Sequence, residues 1–413
     1  MTDELITSVQ GFREWLGATT ATRATVVRVD LRGIDDEITP DPDLQGSIFL
    51  ACHVGPRLAQ FVSRAKCVQI PEFGRLPTDV FRTDLYRVAE LYDGFDLAEP
   101  GSWKSSLDHR IYEWFVDQSP RRPRALAVDE LLAARAHDSM VELALSRFIG
   151  SVGKSVVGVM GGHDKKRSSV AYRQIATISR TLSRDGLLIL TGGGPGLMEA
   201  ANLGAFLGPF PDEALDHAIN VLRKAEDFGS HEWLSTACAV RADLLGDWEA
   251  AEPDESFNLG VPTWLYGHEP PNLFATHSGK MFFNSLREDG LVSLADGGIL
   301  FGEGNAGTVQ ELFQDVTQNY YREKEVVMPT PIVLLDRTYW TRASNELPVV
   351  DPATGKVLDK RKPVWPLLNQ LAAEKNFTSA ILVSDDSTEI IKHLRGRPKE
   401  ATSRRVLAWR GLV

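Results

Sequence analysis

The residues of this chain whose types and spacing could do chemistry sit at two glycine-rich junctions. Gly302-Glu-Gly-Asn-Ala-Gly-Thr-Val-Gln-Glu311 follows the apolar run Gly298-Ile-Leu-Phe301. That order reads as a strand, a glycine turn and a helix with an acid in its first turn. A junction of the same kind lies upstream, at Leu187-Leu-Ile-Leu-Thr-Gly-Gly-Gly-Pro-Gly-Leu-Met-Glu199. Glycines let a ligand approach the backbone, and Pro195 suits the opening of a helix. The N–H groups and dipole of a helix N-terminus then favour an anion such as phosphate. The candidate phosphate contacts are Gly193, Gly194, Gly196 and Met198 in the first turn, with Gly304, Gly307 and Thr308 in the second. Two such junctions predict one nucleotide site, with Glu311 where chemistry on the nucleotide would occur. Two structural alternatives compete. The first turn alone could be a tight strand-to-helix connection. Thr308-x-x-Glu311 is also a capping box, the favoured reading when that segment is taken by itself.

Two familiar nucleotide patterns do not apply. Leu197 stands at the third glycine position of the dinucleotide fingerprint, which disfavours NAD. Gly153-Lys-Ser155 ends like a phosphate-binding loop, but Phe148 replaces its first glycine and the strand follows it instead of preceding it.

The two motifs, in this order and about 110 residues apart, resemble the LOG family of nucleoside-monophosphate phosphoribohydrolases, with patterns G-G-G-x-x-G-x-M and P-G-G-x-G-T-x-x-E. The chain is most similar to the larger bacterial nucleotide 5′-monophosphate nucleosidases. Gly161-Gly-His163, Gly194-Pro-Gly-Leu-Met198 and Glu269-Pro-Pro-Asn272 carry that resemblance over roughly residues 150–396. It implies release of a free base and ribose 5-phosphate from a nucleoside 5′-monophosphate, with Glu311 as the catalytic carboxylate, stabilising positive charge or activating water, and Arg287 pairing with it. It adds His163 and Asn272 as contacts to phosphate, base or ribose. It also implies a homo-oligomer, a dimer or larger, and no cofactor or metal. The chain departs from the family at Glu303, which replaces a proline, at Asn305, which replaces a glycine, and at Glu288, which replaces a lysine. A carboxylate at 303 stands beside the expected phosphate site. A non-hydrolytic nucleotide-binding protein of the same fold is therefore the alternative. A pyridoxal-phosphate decarboxylase would need a Schiff-base lysine, and no sequence feature singles one out.

These residues need a scaffold, and its pattern is legible. From 155 onward, apolar strand-like runs alternate with helices: strand 156–160, helix 170–184, strand 187–190, helix 197–207, strand-like 259–265, helix 278–294, strand 298–301, helix 308–322, strand 331–336, helix 364–375, strand 380–384 and helix 387–395. Alternation of this kind predicts an α/β, doubly wound parallel sheet of Rossmann-like type. The expected organisation is an N-terminal α+β and helical extension over 1–150, a nucleotide-binding catalytic domain over 151–400 interrupted at about 208–257, and a tail over 401–413. In the extension, 25–30 and 46–52 read as strands and 55–62 as a helix.

The 413 residues allow two or three domains and a sizeable core. Asp plus Glu outnumber Lys plus Arg by 56 to 45, a net charge of -11. That excess argues against nucleic-acid and anionic-membrane partners. Cys52, Cys67 and Cys238 are too few and too scattered for a metal site, and are expected as free thiols. Without an apolar leader or an 18-residue apolar run, a cytoplasmic location is expected.

Overall fold

The computed structural model describes residues 4–18, 23–38, 42–72, 76–117, 122–230, 232–265, 269–322, 328–343 and 345–396. The 401–413 tail lies outside them. Two compact units emerge: Met1–Asp84 with Ala125–Ala144, and Leu85–Arg124 with the described chain from Leu145 to Gly396. Residues 85–124 therefore fold with the larger unit.

That unit is built on seven strands: β1 (Val156–Met160), β2 (Leu188–Thr191), β3 (Leu259–Gly260), β4 (His277–Ser278), β5 (Gly298–Phe301), β6 (Ile332–Leu335) and β7 (Ile381–Ser384). Their spatial order is β4-β3-β2-β1-β5-β6-β7, and every pairing is parallel. β1, β2, β5 and β6 are buried at every position, as a sheet covered on both faces requires. The chain winds one way from β1 to β4 and the other way from β5, so the order reverses between β1 and β5. Ligands of open α/β sheets bind at the carboxyl ends of the strands at such a reversal.

Helix Val170–Arg184 starts at Ser169, whose hydroxyl accepts from the Tyr172 N–H at 3.2 Å. Helix Leu197–Phe206 packs tightly against it at Gly204. A Cβ there would lie 2.1 Å from the Ala176 carbonyl oxygen, so only glycine fits. The 208–257 segment holds helices Glu213–Leu222 and Glu232–Leu245. Arg167, 1% exposed, ties the segment to helix Leu197–Phe206. Its Nη1 donates to the Ala225 and Trp233 carbonyls and to Thr236 Oγ1, while Nε donates to Glu199 Oε2 at 2.9 Å.

Strands expected over 25–30 and 46–52 shorten to Ala24–Val27 and Ile48–Leu50, and two elements of the larger unit differ more. The strand expected over 259–265 shortens to Leu259–Gly260, because Pro262 lacks an N–H for the ladder. The helix expected from 278 begins at Asn284. Ser278 and Gly279 instead direct their N–H groups to the Tyr86 and Gly260 carbonyls, both at 2.8 Å, so sheet pairing has claimed the backbone. Segment 85–124 adds further ties within this unit. Tyr92 Oη donates to the Pro271 carbonyl at 2.7 Å, and buried Asp108 accepts from Lys280 Nζ at 2.5 Å and Trp264 Nε1 at 2.9 Å.

The smaller unit is a second parallel sheet, with strands Glu4–Ile6, Ala24–Val27, Ile48–Leu50 and Val68–Ile70 in sequential order. Phe12, Val26, Phe49, Leu58 and Val62 form its core. Asp35 caps helix Pro56–Arg64 by accepting from the Arg57 and Leu58 N–H groups at 2.9 and 2.8 Å. Among the described residues the three cysteines are free, and no helix is long and apolar enough to cross a membrane.

Candidate functional site

The carboxyl ends of β1 and β5 are stitched together. Gly162 N–H donates to the Glu303 carbonyl at 2.7 Å, and Gly302 N–H to the Met160 carbonyl at 2.8 Å. The loop after β1 and the second glycine turn are thus one surface. The first glycine turn joins it at Gly196. Its φ is +71°, and a Cβ there would lie 2.4 Å from the Gly162 carbonyl oxygen. An L side chain fits neither the angle nor the space. The three loops so joined stand at the reversal of strand order.

Helices Leu197–Phe206 and Ala306–Tyr320 both point their N-termini into this surface. Their N-cap residues, Gly196 and Asn305, make no side-chain cap bond. In the first helix the Leu197 N–H is taken by the Gly162 carbonyl at 3.2 Å, and the absence of a side-chain cap leaves the next amides to other acceptors, the condition for holding an anion. Nothing lies within 4 Å of a Cβ placed on Gly307, which opens the second turn to a ligand. Gly304 is packed against Thr308, and its carbonyl accepts from Tyr339 Oη. Met198 lies against Gly192 and Gly194, backing the first turn from within.

Asn305, not Thr308, is the N-cap of the second helix, so the capping box does not form. The Glu311 carboxylate is free to turn elsewhere, and it turns to Arg287. Nη1 of Arg287 donates to Glu311 Oε1 at 3.1 Å, with both side chains nearly buried. Arg287 Nε is held by Asn284 Oδ1 at 3.0 Å, and Nη1 lies 3.5 Å from the point where a Gly192 Cβ would sit. The pair therefore bridges the two glycine turns. Burial pushes the Glu311 carboxyl up to about 7, against the opposing attraction of Arg287 and with help from Glu288 and Glu269. A carboxyl poised near neutrality can carry or accept a proton at working pH.

His163 and Glu269 form a second pair at 3.0 Å, Nδ1 to Oε1. The hydrogen bond to Glu269 raises the imidazole above its ordinary value, so the charged form is favoured. Glu269 Oε2 lies 3.4 Å from the Cβ position of Gly194, beside the first turn. Asn272 is occupied structurally. Its Nδ2 donates to the Gly194 carbonyl and Asn202 Oδ1, its Oδ1 accepts from Phe274 and Ala275, and its backbone N–H donates to the Gly193 carbonyl. It positions the first turn.

The structure also supplies residues that motif reading passed over. Lys165 Nζ stands 2.5 Å from Glu303 Oε2, so the carboxylate beside the second turn is neutralised. Glu199 in the first-turn helix is locked by Arg167 and by Tyr172 Oη at 3.1 Å, away from any ligand. Lys165 and Arg167 sit in the charged run Asp164-Lys-Lys-Arg167, which in sequence reads as solvated surface. Glu269 did carry a signal, standing in the same Glu-Pro-Pro-Asn motif as Asn272. Lys280 is fully buried, and desolvation pulls its ammonium below the ordinary lysine value although Asp108 opposes this.

Residues 154–208 match the SLOG cluster4 family, LDcluster4. The segment holding β1, β2 and the first glycine turn is thus LOG-like, in agreement with the motif resemblance. No curated protein matches the chain. Among solved structures, it is similar to the molybdenum cofactor carrier protein of Chlamydomonas reinhardtii, with 15% identity, TM-score 0.32, and 59% of this chain and 99% of that one covered. It is similar also to the molybdenum cofactor binding protein of Rippkaea orientalis, with 16% identity, TM-score 0.29, and 59% and 96% covered. Similarity at this level says nothing about the ligand.

Proposed function

We propose that this protein hydrolyses the N-glycosidic bond of nucleoside 5′-monophosphates, releasing free base and ribose 5-phosphate. One observation carries the reading. Glu311, freed from capping and raised to about 7, is paired with Arg287 between two glycine turns at the strand-order reversal. Cleavage of such a bond passes through an oxocarbenium-like state, which a carboxylate stabilises and whose attacking water it can activate. Arg287 orients Glu311 and faces the first turn. Phosphate held at the two helix N-termini fixes the sugar, which supplies part of the rate enhancement through positioning. His163, favoured in its protonated form by Glu269, is the donor that meets the phosphate or the departing base.

The SLOG-type fold is of the nucleotide- and cofactor-binding kind, and that coarser assignment does not depend on hydrolysis. Glu303 motivates the second reading, binding without turnover. The Lys165 pairing answers the objection to phosphate binding that Glu303 raises, because the site is not left facing an uncompensated carboxylate. The test is a screen of AMP, GMP and CMP for released base, with ribose 5-phosphate measured alongside. Equal release by wild type and Glu311→Gln removes Glu311 from the chemistry. Calorimetric binding with no base released over hours establishes the binding-only reading. By analogy with relatives the working form is a homo-oligomer, which analytical ultracentrifugation of the full chain checks.

A further inference from the structure

A cavity of about 270 Å³ opens in the larger unit, lined by Tyr92, Trp103, Phe228-Gly-Ser230, Trp233, Leu234 and Pro270. Four of these eight residues are aromatic. Two links place the cavity next to the site described above. The Phe228 ring meets the His163 imidazole edge-on, at 5.9 Å between centroids and 88° between planes. Pro270 follows Glu269, the partner of that same imidazole. The His163–Glu269 pair therefore stands against the Phe228 and Pro270 end of the cavity, beside the first glycine turn.

The walls are fixed in advance. Trp233 is 2% exposed and lies under the Arg167 guanidinium, 4.8 Å from its ring centroid. Tyr92 is held through its hydroxyl to the Pro271 carbonyl. Phe228 and Trp103 are half-buried and form the mouth. The volume falls below the range for whole drug-sized ligands, so it suits one flat ring system and not an entire nucleotide. Aromatic walls with a charged donor pair at one end match a planar heteroaromatic group: faces stack on rings, and edge nitrogens or oxygens meet the imidazolium.

The geometry points to this cavity as the subsite for the base of the bound nucleotide, built by segment 85–124 and the 208–257 insertion instead of by the glycine motifs. The assignment rests on the nucleotide reading proposed above. It makes the insertion the determinant of which base is accepted.

The test titrates the full chain by calorimetry with AMP, GMP and CMP, with free adenine, and with ribose 5-phosphate, which has no base. Phe228→Leu and Trp103→Leu change half-buried positions and should leave the fold intact, which circular dichroism verifies. The expected result is about tenfold weaker binding of the preferred monophosphate in each variant, with ribose 5-phosphate binding unchanged. Unchanged monophosphate affinity in both variants overturns the subsite, while ribose 5-phosphate binding in the same proteins keeps the phosphate site standing. Loss of ribose 5-phosphate affinity along with the monophosphate marks general damage and also overturns the subsite. Phe228-dependent adenine binding without any ribose 5-phosphate binding sustains the subsite and rejects the phosphate reading. A wild-type chain that binds none of these ligands overturns both.

Discussion

Glu311→Gln separates the two consequences of burying this carboxyl. The substitution is nearly isosteric, and the amide oxygen can still accept from Arg287 Nη1, as Glu311 Oε1 does at 3.1 Å. What it removes is the charge. The folded protein holds Glu311 at about 7 against an ordinary 4.5, because its ionised form is desolvated. Converted at the usual rate, that difference is about 3 kcal/mol charged against stability once the carboxyl is ionised in both states. The sign follows directly. Below the unfolded value the group is protonated both folded and unfolded, so Gln and Glu should be equivalent. Between 4.5 and about 7 the unfolded chain loses the proton first, and wild-type stability falls relative to the variant. Above that window the difference is constant. Denaturant unfolding should therefore show Glu311→Gln more stable by about 3 kcal/mol near pH 8, by about 1.5 near pH 5.5 and by nothing near pH 4. The same variant should lose base release by about 10²-fold or more, since it can neither shuttle the proton nor balance the oxocarbenium charge. A site that spends stability on an ionised group must show both effects. A stability difference that does not vary with pH would refute burial as the cause. Retained turnover would refute the catalytic assignment.

Arg287→Lys weakens the attraction that holds Glu311 down, so the rising limb of the pH–rate profile should move to higher pH; a fixed midpoint would show that Arg287 acts elsewhere. Lys165→Ala exposes the Glu303 carboxylate to the bound phosphate and should raise KM for the monophosphate by several-fold, about 1 kcal/mol for a partly exposed pair. Adding Glu303→Gln should restore KM, and failure to do so rejects the neutralising role. Gly196→Ala must accommodate a φ of +71° and a 2.4 Å approach to the Gly162 carbonyl. It should cost about 2 kcal/mol or more in unfolding and reduce phosphate affinity as well, and a neutral effect on both would contradict the geometry of the first turn.

Much of this protein is written in its local sequence. Strand runs such as Val156–Met160 and Gly298–Phe301 are apolar at almost every position, because a parallel strand covered on both faces has no polar side to show. The helix Val170–Arg184 announces itself through Ser169 and its apolar repeat. The glycine turns are legible for a similar reason, since only glycine meets the backbone angles and close approaches they need. Local patterning also pointed to Arg287 and Glu311 through the family resemblance, but could not tell whether the Glu311 carboxylate caps its own helix or is left free for another partner. That choice depended on where the helix begins, and Asn305 took the cap position. Glu303 shows the same limit. In sequence it is a stray negative charge, and only the fold brings Lys165, 138 residues earlier, to within 2.5 Å of it. Asn272 shows the reverse: a motif residue whose amide the fold uses up in holding Gly193 and Gly194. The aromatic cavity joins residues from 92 to 270, a set that no periodicity connects. The sequence by itself determined the strands, the turns and the types of residue at their ends, because those follow from a few neighbouring side chains. The tertiary structure alone decided which charges meet and which are buried, because distance and desolvation depend on parts of the chain far apart in sequence.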